Sequence, residues 1–166
     1  MDTFSIEVEI ARAPEAVMEA LWRIERWPDI APHVLGIDLA YEDANVQVLF
    51  MTVRSRGEAE RFKSVRIRQS GTLLFWQPDP PPFLRRHSGS WQVRPGQQGG
   101  AVVVSRHEIE IDPPRAAAFL SRTHAGLADA AAVTSALADL IGHNSRQTLL
   151  GLKRQLEEGT VGHAAA

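Results

Sequence analysis

AVVVSRHEIEIDPPRAAAFL, residues 101–120, holds both halves of the fold in one stretch. From Ala101 to Ile111 the chain alternates. Val103, Ser105, His107, Ile109 and Ile111 fall on one face, and Arg106, Glu108 and Glu110 on the other. A period of two is the mark of a half-buried strand. Asp112-Pro113-Pro114 ends it, because proline donates no ladder hydrogen bond. Beyond the prolines the chain turns alanine-rich and helical in pattern. The spacing predicts a helix over 114–122, a break near Thr123–Gly126, and a long helix from about 128 to 158. On that long helix Val133, Leu137, Leu140, Ile141, Asn144, Thr148 and Leu152 fall close to one stripe.

Working back from this junction, the chain is a run of strands behind one helical segment. FSIEVEIA, residues 4–11, alternates strictly, with Phe4, Ile6, Val8 and Ile10 on one face. Ala13-Pro14 opens a helix carrying Val17, Leu21, Trp22 and Ile24, which Trp27-Pro28 is expected to end. A short helix or turn is expected from Asp29 to His33. Strands come next at 35–41, 46–54, 58–68, 72–77, 87–94 and 101–111, separated by turn residues such as Arg56-Gly57, Ser70-Gly71 and Gly99-Gly100. PDPPP, residues 78–82, reads as a loop at the rim. Short connections imply antiparallel neighbours in chain order. The expected class is therefore α+β: a curved antiparallel sheet of about seven strands around a long C-terminal helix, with a cavity between them. Residues 1–158 read as a single domain and 159–166 as a flexible tail.

The composition excludes several kinds of function. The chain has 166 residues and a formal net charge of −2, so it offers no basic footprint for nucleic acid or anionic membranes. It has no cysteine, which removes disulfides and thiolate chemistry. MDTFSIEVEI lacks the apolar core of a secretory signal, and no run reaches the ~18 apolar residues of a membrane span. The expected location is cytoplasmic. The six histidines show no metal-ligand spacing, and no nucleotide-binding or serine-hydrolase motif is present.

Parity along the strands nominates residues for the cavity. His87, Gly89, Trp91 and Val93 share the inward face of 87–94, as Ser105 and His107 do on 101–111. His107 is either a buried histidine bonded to a neighbour or an acid/base group, since histidine titrates near neutral pH. Trp27, Trp76, Trp91 and Phe83 offer flat aromatic walls, for plain packing or for a flat ligand. The strand at 58–68 leaves two faces open. One carries Glu60, Phe62, Ser64, Arg66 and Arg68; the other carries Ala59, Arg61, Lys63, Val65 and Ile67. An inward Arg66 would need a partner, because an unpaired buried charge is too costly to persist. His33 is either an exposed loop histidine or a group at the cavity mouth.

Several motifs together resemble the START-like (Bet v 1-like, helix-grip, SRPBCC) superfamily, and within it the bacterial aromatic polyketide aromatase/cyclases. They are Ala13-Pro14, Leu21-Trp22, Glu25-Arg26-Trp27-Pro28, Phe62-Lys63-Ser64-Val65-Arg66, Gly89-Ser90-Trp91 after Pro82-Phe83, and Asn144-Ser145-Arg146-Gln147-Thr148-Leu149. The long segment 114–143 looks more like the halves of didomain aromatases than like the monodomain enzymes. The resemblance implies that an acyl carrier protein delivers a poly-β-ketone. An aldol then closes a ring and dehydration aromatises it, with no metal or organic cofactor. It places the family's pocket arginine on Arg66, where it would stabilise an enolate. It places the pattern's tryptophans on Trp27 and Trp91, and the helix asparagine near Asn144. The tyrosine that comes after the WP pair in monodomain aromatases is missing here, where His33-Val34 stand, and the only tyrosine is Tyr41. Either His107 or His33 then takes the acid/base role, or the chemistry differs.

The expected function is a cofactor-independent polyketide aromatase/cyclase of antibiotic biosynthesis, lyase-type, acting as monomer or homodimer. Arg66, His107 and His33 would be catalytic. Trp27, Trp91, Phe62, Phe83, His87, Ser105 and Asn144 would bind substrate. The alternative is a module that binds or sequesters a small hydrophobic ligand, as a lipid or metabolite carrier or in self-resistance.

Overall fold

The computed structural model describes residues 1–55, 57–121 and 129–159. Seven strands form one antiparallel sheet: β1 (Asp2–Ile10), β2 (Val34–Glu42), β3 (Val46–Ser55), β4 (Glu58–Gln69), β5 (Thr72–Asp79), β6 (Leu84–Pro95) and β7 (Ala101–Ile111). Their order is β1-β7-β6-β5-β4-β3-β2, so every pair except β1–β7 joins chain neighbours. Helix α1 (Pro14–Trp22), a 3-10 turn (Ile24–Arg26) and the single turn α2 (Trp27–Ile30) lie between β1 and β2. Helices α3 (Pro113–Ser121) and α4 (Ala130–Glu158) come after β7. The expected break near Thr123–Gly126, and the tail beyond Gly159, lie outside the described residues.

Helix α4 is held to the sheet by apolar burial and by polar ties at its end. Leu137, Leu149 and Leu152 are fully buried, each contributing about 2 kcal/mol. Lys153 Nζ donates to the Glu9 carbonyl at 2.8 Å, and Glu157 Oε1 accepts from the Ala11 amide at 2.8 Å. The helix meets α2 backbone to backbone at Gly151, where a Cβ would lie 1.8 Å from the Ile30 carbonyl oxygen. Gly89 on β6 is confined in the same way, a Cβ there reaching 2.0 Å from the Arg106 oxygen. A second apolar cluster, including Phe83, Ile109, Phe119 and Leu137, fills the space beneath α3.

Three local expectations are corrected. Trp27-Pro28 begins a helical turn rather than ending one, because proline in a first turn lacks only an N–H that would be unpaired there. The expected short helix or turn over Asp29–His33 is present but starts two residues earlier: the helical turn occupies Trp27–Ile30 and the chain turns again at 32–33. Strand β5 runs through Pro78 to Asp79, into the segment read as a loop. A register shift between Lys63 and Val65 on β4 sets two β5 residues against one, and such a bulge tolerates proline. Trp76 is 53% exposed on the outer face, so it is no cavity wall; Leu73, Phe75 and Gln77 are the buried residues of β5. The open choice on β4 is settled with Phe62, Ser64 and Arg66 buried and Arg61 and Ile67 turned to solvent.

Candidate functional site

Between the concave sheet and α4 lies a cavity of about 120 Å³. An apolar protein cavity of ~150 Å³ holds a benzene, so this space matches about one ring. Its walls are mostly apolar: Met51 and Val53 from β3, Phe62 from β4, Phe75 from β5, and Leu140 and Ile141 from α4. Two hydrogen-bonded groups, centred on Arg66 and His107, bring polar atoms to it beside His33, Asn144 and Thr148.

The first group surrounds Arg66, which is 1% exposed. Its Nη1 donates to Gln47 Oε1 at 2.7 Å and to the Trp22 carbonyl at 3.3 Å, and its Nη2 donates to the Leu21 carbonyl. Leu21 and Trp22 end α1, whose last carbonyls have no partner within the helix and carry its negative dipole end. Arg66 thus serves as a C-terminal cap reaching across from the sheet. Gln47, directly opposite Arg66 in the β3–β4 register, passes the charge outward. Its Nε2 donates to the Trp22 carbonyl at 3.1 Å and to Glu42 Oε2 at 2.6 Å. Three indole rings surround the guanidinium, with Trp27, Trp91 and Trp22 centred 5.2, 5.7 and 5.8 Å from its carbon. Burial pulls the Arg66 pKa down to about 9, against the opposing pull of Glu25 and Glu42, so it stays cationic at neutral pH. Arg66 Nε and Trp27 Nε1 are buried without a hydrogen-bond partner.

The second group is a chain of side chains. Gln77 Oε1 is 2.9 Å from His87 Nδ1, His87 Nε2 is 3.0 Å from His107 Nδ1, and His107 Nε2 is 2.9 Å from both Ser105 Oγ and Ser145 Oγ. The two hydroxyls are 3.0 Å apart. Phe4 stacks on the His107 ring at 5.0 Å. Burial pushes His107 down to about 4, and burial together with the neighbouring His107 pushes His87 down to about 3. Both rings are therefore neutral near pH 7.

The structure brings Arg66, His107, His33, Trp27, Trp91, Phe62, Phe83, His87 and Asn144 to one cavity. Ser105 stands behind His107 and does not line the space. His33 sits apart from the histidine chain. Its Nε2 lies a long 3.4 Å from Thr148 Oγ1, and burial, with His143, lowers its pKa to about 4. Sequence reasoning missed Gln47, Gln77 and Ser145. Parity on β3 and β5 points to the two glutamines, which share faces with Leu49 and Phe75. Ser145 is one residue from the predicted Asn144, and the rotation of α4 brings both to the cavity.

A curved antiparallel sheet closed over a long helix, with a cavity between them, is the START-like, Bet v 1-like fold. The chain belongs to the family described as polyketide cyclase / dehydrase and lipid transport, which matches residues 1–157. Among solved structures it is similar to the di-domain ARO/CYC StfQ from the steffimycin biosynthetic pathway. The two are 22% identical with a TM-score of 0.82, over 95% of this chain and 52% of that one. It is similar to the di-domain ARO/CYC BexL from the BE-7585A biosynthetic pathway, at 25% identity and TM-score 0.81, over 94% and 50%. The Zhui aromatase/cyclase from Streptomyces sp. R1128 is 18% identical with a TM-score of 0.78, over 94% and 96%. The chain thus spans about half the length of the di-domain proteins it matches. No curated protein matches it in sequence. Among the described residues, no helix is long and apolar enough to cross a membrane, and no three His, Asp or Glu side chains are grouped to hold a metal ion.

Proposed function

We propose that the cavity is the site of a polyketide aromatase/cyclase, which folds a poly-β-ketone presented by an acyl carrier protein and closes its first ring. The observation that carries this reading is one apolar cavity lined by both a cationic guanidinium and a neutral imidazole bonded on both sides. His107, acting at Nε2, removes an α-proton, and the positive field of Arg66 stabilises the enolate that forms. The carbanion attacks a second ketone, a C–C bond closes, and the new alkoxide takes a proton. That proton comes back from His107, which returns to its neutral form; loss of a second α-proton with the new hydroxyl, as water, and enolisation of the remaining ring ketone then aromatise the ring. Holding the chain bent lowers the barrier by removing freedom the open chain would lose in the transition state. A space matching one ring suits a single ring closure.

One observation favours a second reading. The terminal nitrogens of Arg66 are occupied by Leu21, Trp22 and Gln47, which is what a structural cap for α1 requires. On that reading the cavity only binds a small hydrophobic ligand. The deciding experiment combines the protein with a synthase that makes the linear chain and compares wild type with Arg66→Ala and His107→Ala, each shown to be folded. Loss of the correctly cyclised product in both supports the cyclase. Unchanged product from both refutes the catalytic assignment and favours the binding module.

A further inference from the structure

The chain from Gln77 to Ser145 has a direction, and valence sets it. An amide oxygen only accepts, so His87 Nδ1, 2.9 Å from Gln77 Oε1, carries a hydrogen. A neutral imidazole has one N–H, so His87 Nε2 is a bare lone pair. His107 Nδ1 lies 3.0 Å from it. Two lone pairs at that distance repel, so His107 Nδ1 carries the hydrogen and His107 Nε2 is the bare nitrogen. Around that nitrogen stand two hydroxyls, at 2.9 Å each and 3.0 Å from one another. One donates to it and the other donates to the first. Ser105 is fully buried on β7, whereas Ser145 reaches in from α4 and lines the cavity.

We propose that Gln77 and His87 are positioning residues that hold His107 as its Nδ1–H tautomer. The Ser145 hydroxyl, coupled to the bare Nε2, is then the group that meets a hydroxyl or enol oxygen on a flat, ring-sized ligand. A proton passed from such a ligand through Ser145 lands on His107 Nε2. His107 then holds the charge as an imidazolium, its Nδ1–H still donated to His87 Nε2 while His87 keeps its own Nδ1–H on Gln77. No carboxylate stands in the chain. The inference rests on the proposed cyclase only for what the proton is used for; the tautomers and the hydroxyl contact do not depend on it.

Two measurements test it. In protein labelled with ¹⁵N-histidine at pH 7.5, long-range proton–nitrogen correlation spectra distinguish protonated from bare ring nitrogens. The expected result is Nδ1–H and bare Nε2 for both His87 and His107. Gln77→Leu should leave the two rings as a mixture of tautomers, and Gln77→Glu, which keeps an acceptor oxygen, should restore the single form. A protonated Nε2 on His107 in the wild type, or an unchanged tautomer in Gln77→Leu, overturns the positioning role. The second measurement compares phenol with toluene, one-ring probes that differ by a hydroxyl, by calorimetric or NMR titration. Phenol is expected to bind about five- to tenfold more tightly, as one hydrogen bond allows, and Ser145→Ala is expected to erase that preference. Equal affinities, no binding of either, or a preference that survives Ser145→Ala overturns the contact. Both results stand or fall without any cyclisation assay, so they fail separately from the cyclase reading.

Discussion

Replacing Gln47 with leucine should destabilise the fold by about 2–3 kcal/mol, although leucine fits the space. Gln47 is fully buried, and its Oε1 is the better-placed acceptor for Arg66 Nη1, at 2.7 Å against 3.3 Å for the Trp22 carbonyl. The substitution leaves a buried cation one good acceptor short, and a hydrogen bond to a charged group contributes about 1.5–3 kcal/mol. The other losses are small. The Trp22 carbonyl keeps its bond from Arg66, and Glu42 is exposed and returns to water. With a urea m-value of about 2 kcal/mol/M, the midpoint should fall by about 1 M. The melting temperature should fall by about 5–10 °C. In an Arg66→Met background the same change should cost about 1 kcal/mol or less, because the cation it served is gone. The assay is urea unfolding followed by tryptophan fluorescence on the four proteins of this cycle. A midpoint shift under about 0.3 M for Gln47→Leu, or equal costs in both backgrounds, would refute the claim that Gln47 carries the charge of Arg66.

Three further outcomes are expected. His87 and His107 have folded pKa values of about 3 and about 4, below the ordinary 6.5. Below pH 6.5 the unfolded chain binds protons that the folded one does not, so stability should be complete above that pH. It should fall as pH drops toward 4, by about 4 kcal/mol between pH 7 and pH 5 for this pair, and His33, also lowered to about 4, adds to the loss in the same direction. Equal urea midpoints at the two pH values would contradict burial of the neutral pair. Gly151→Ala places a methyl 1.8 Å from the Ile30 carbonyl oxygen, so α2 must move. The expected loss is about 3 kcal/mol, read by thermal melting, with weaker binding of one-ring probes as Trp27 and His33 shift. Asp129 caps α4 by accepting from the Ala132 amide at 2.8 Å, and Asp129→Ala should cost about 1 kcal/mol, seen as a melting point lower by about 2–4 °C.

Much of the site was legible wherever a strand had one plainly apolar face. His107 lies between Ser105 and Ile109 on the buried parity of β7, and His87 and Trp91 share the buried parity of β6. The structure places all three where alternation puts them. Alternation failed on β4, where both faces carry charge and neither is plainly apolar. At Trp76 alternation was right and size misled: a large ring suggests a cavity wall, but its parity, opposite to Phe75 and Gln77, puts it in solvent. The bulge that admits Pro78 to β5 depends on the facing strand, so it left no mark in PDPPP.

By itself the sequence determined the class of the fold, the chain-order sheet, the long closing helix and the face on which the histidines lie. All of these come from period and turn chemistry read over a few neighbouring residues. Only the tertiary structure decided what the polar groups inside are paired with. Burying Arg66 is tolerable because the end of α1, 44 residues away, and Gln47, 19 residues away, supply its oxygen acceptors. The imidazole of His107 faces the hydroxyl of Ser145, 38 residues on, only because α4 lies over β7 in that rotation. A buried charge or imidazole depends on partners a few ångströms away in space, and those distances exist only after the chain has folded.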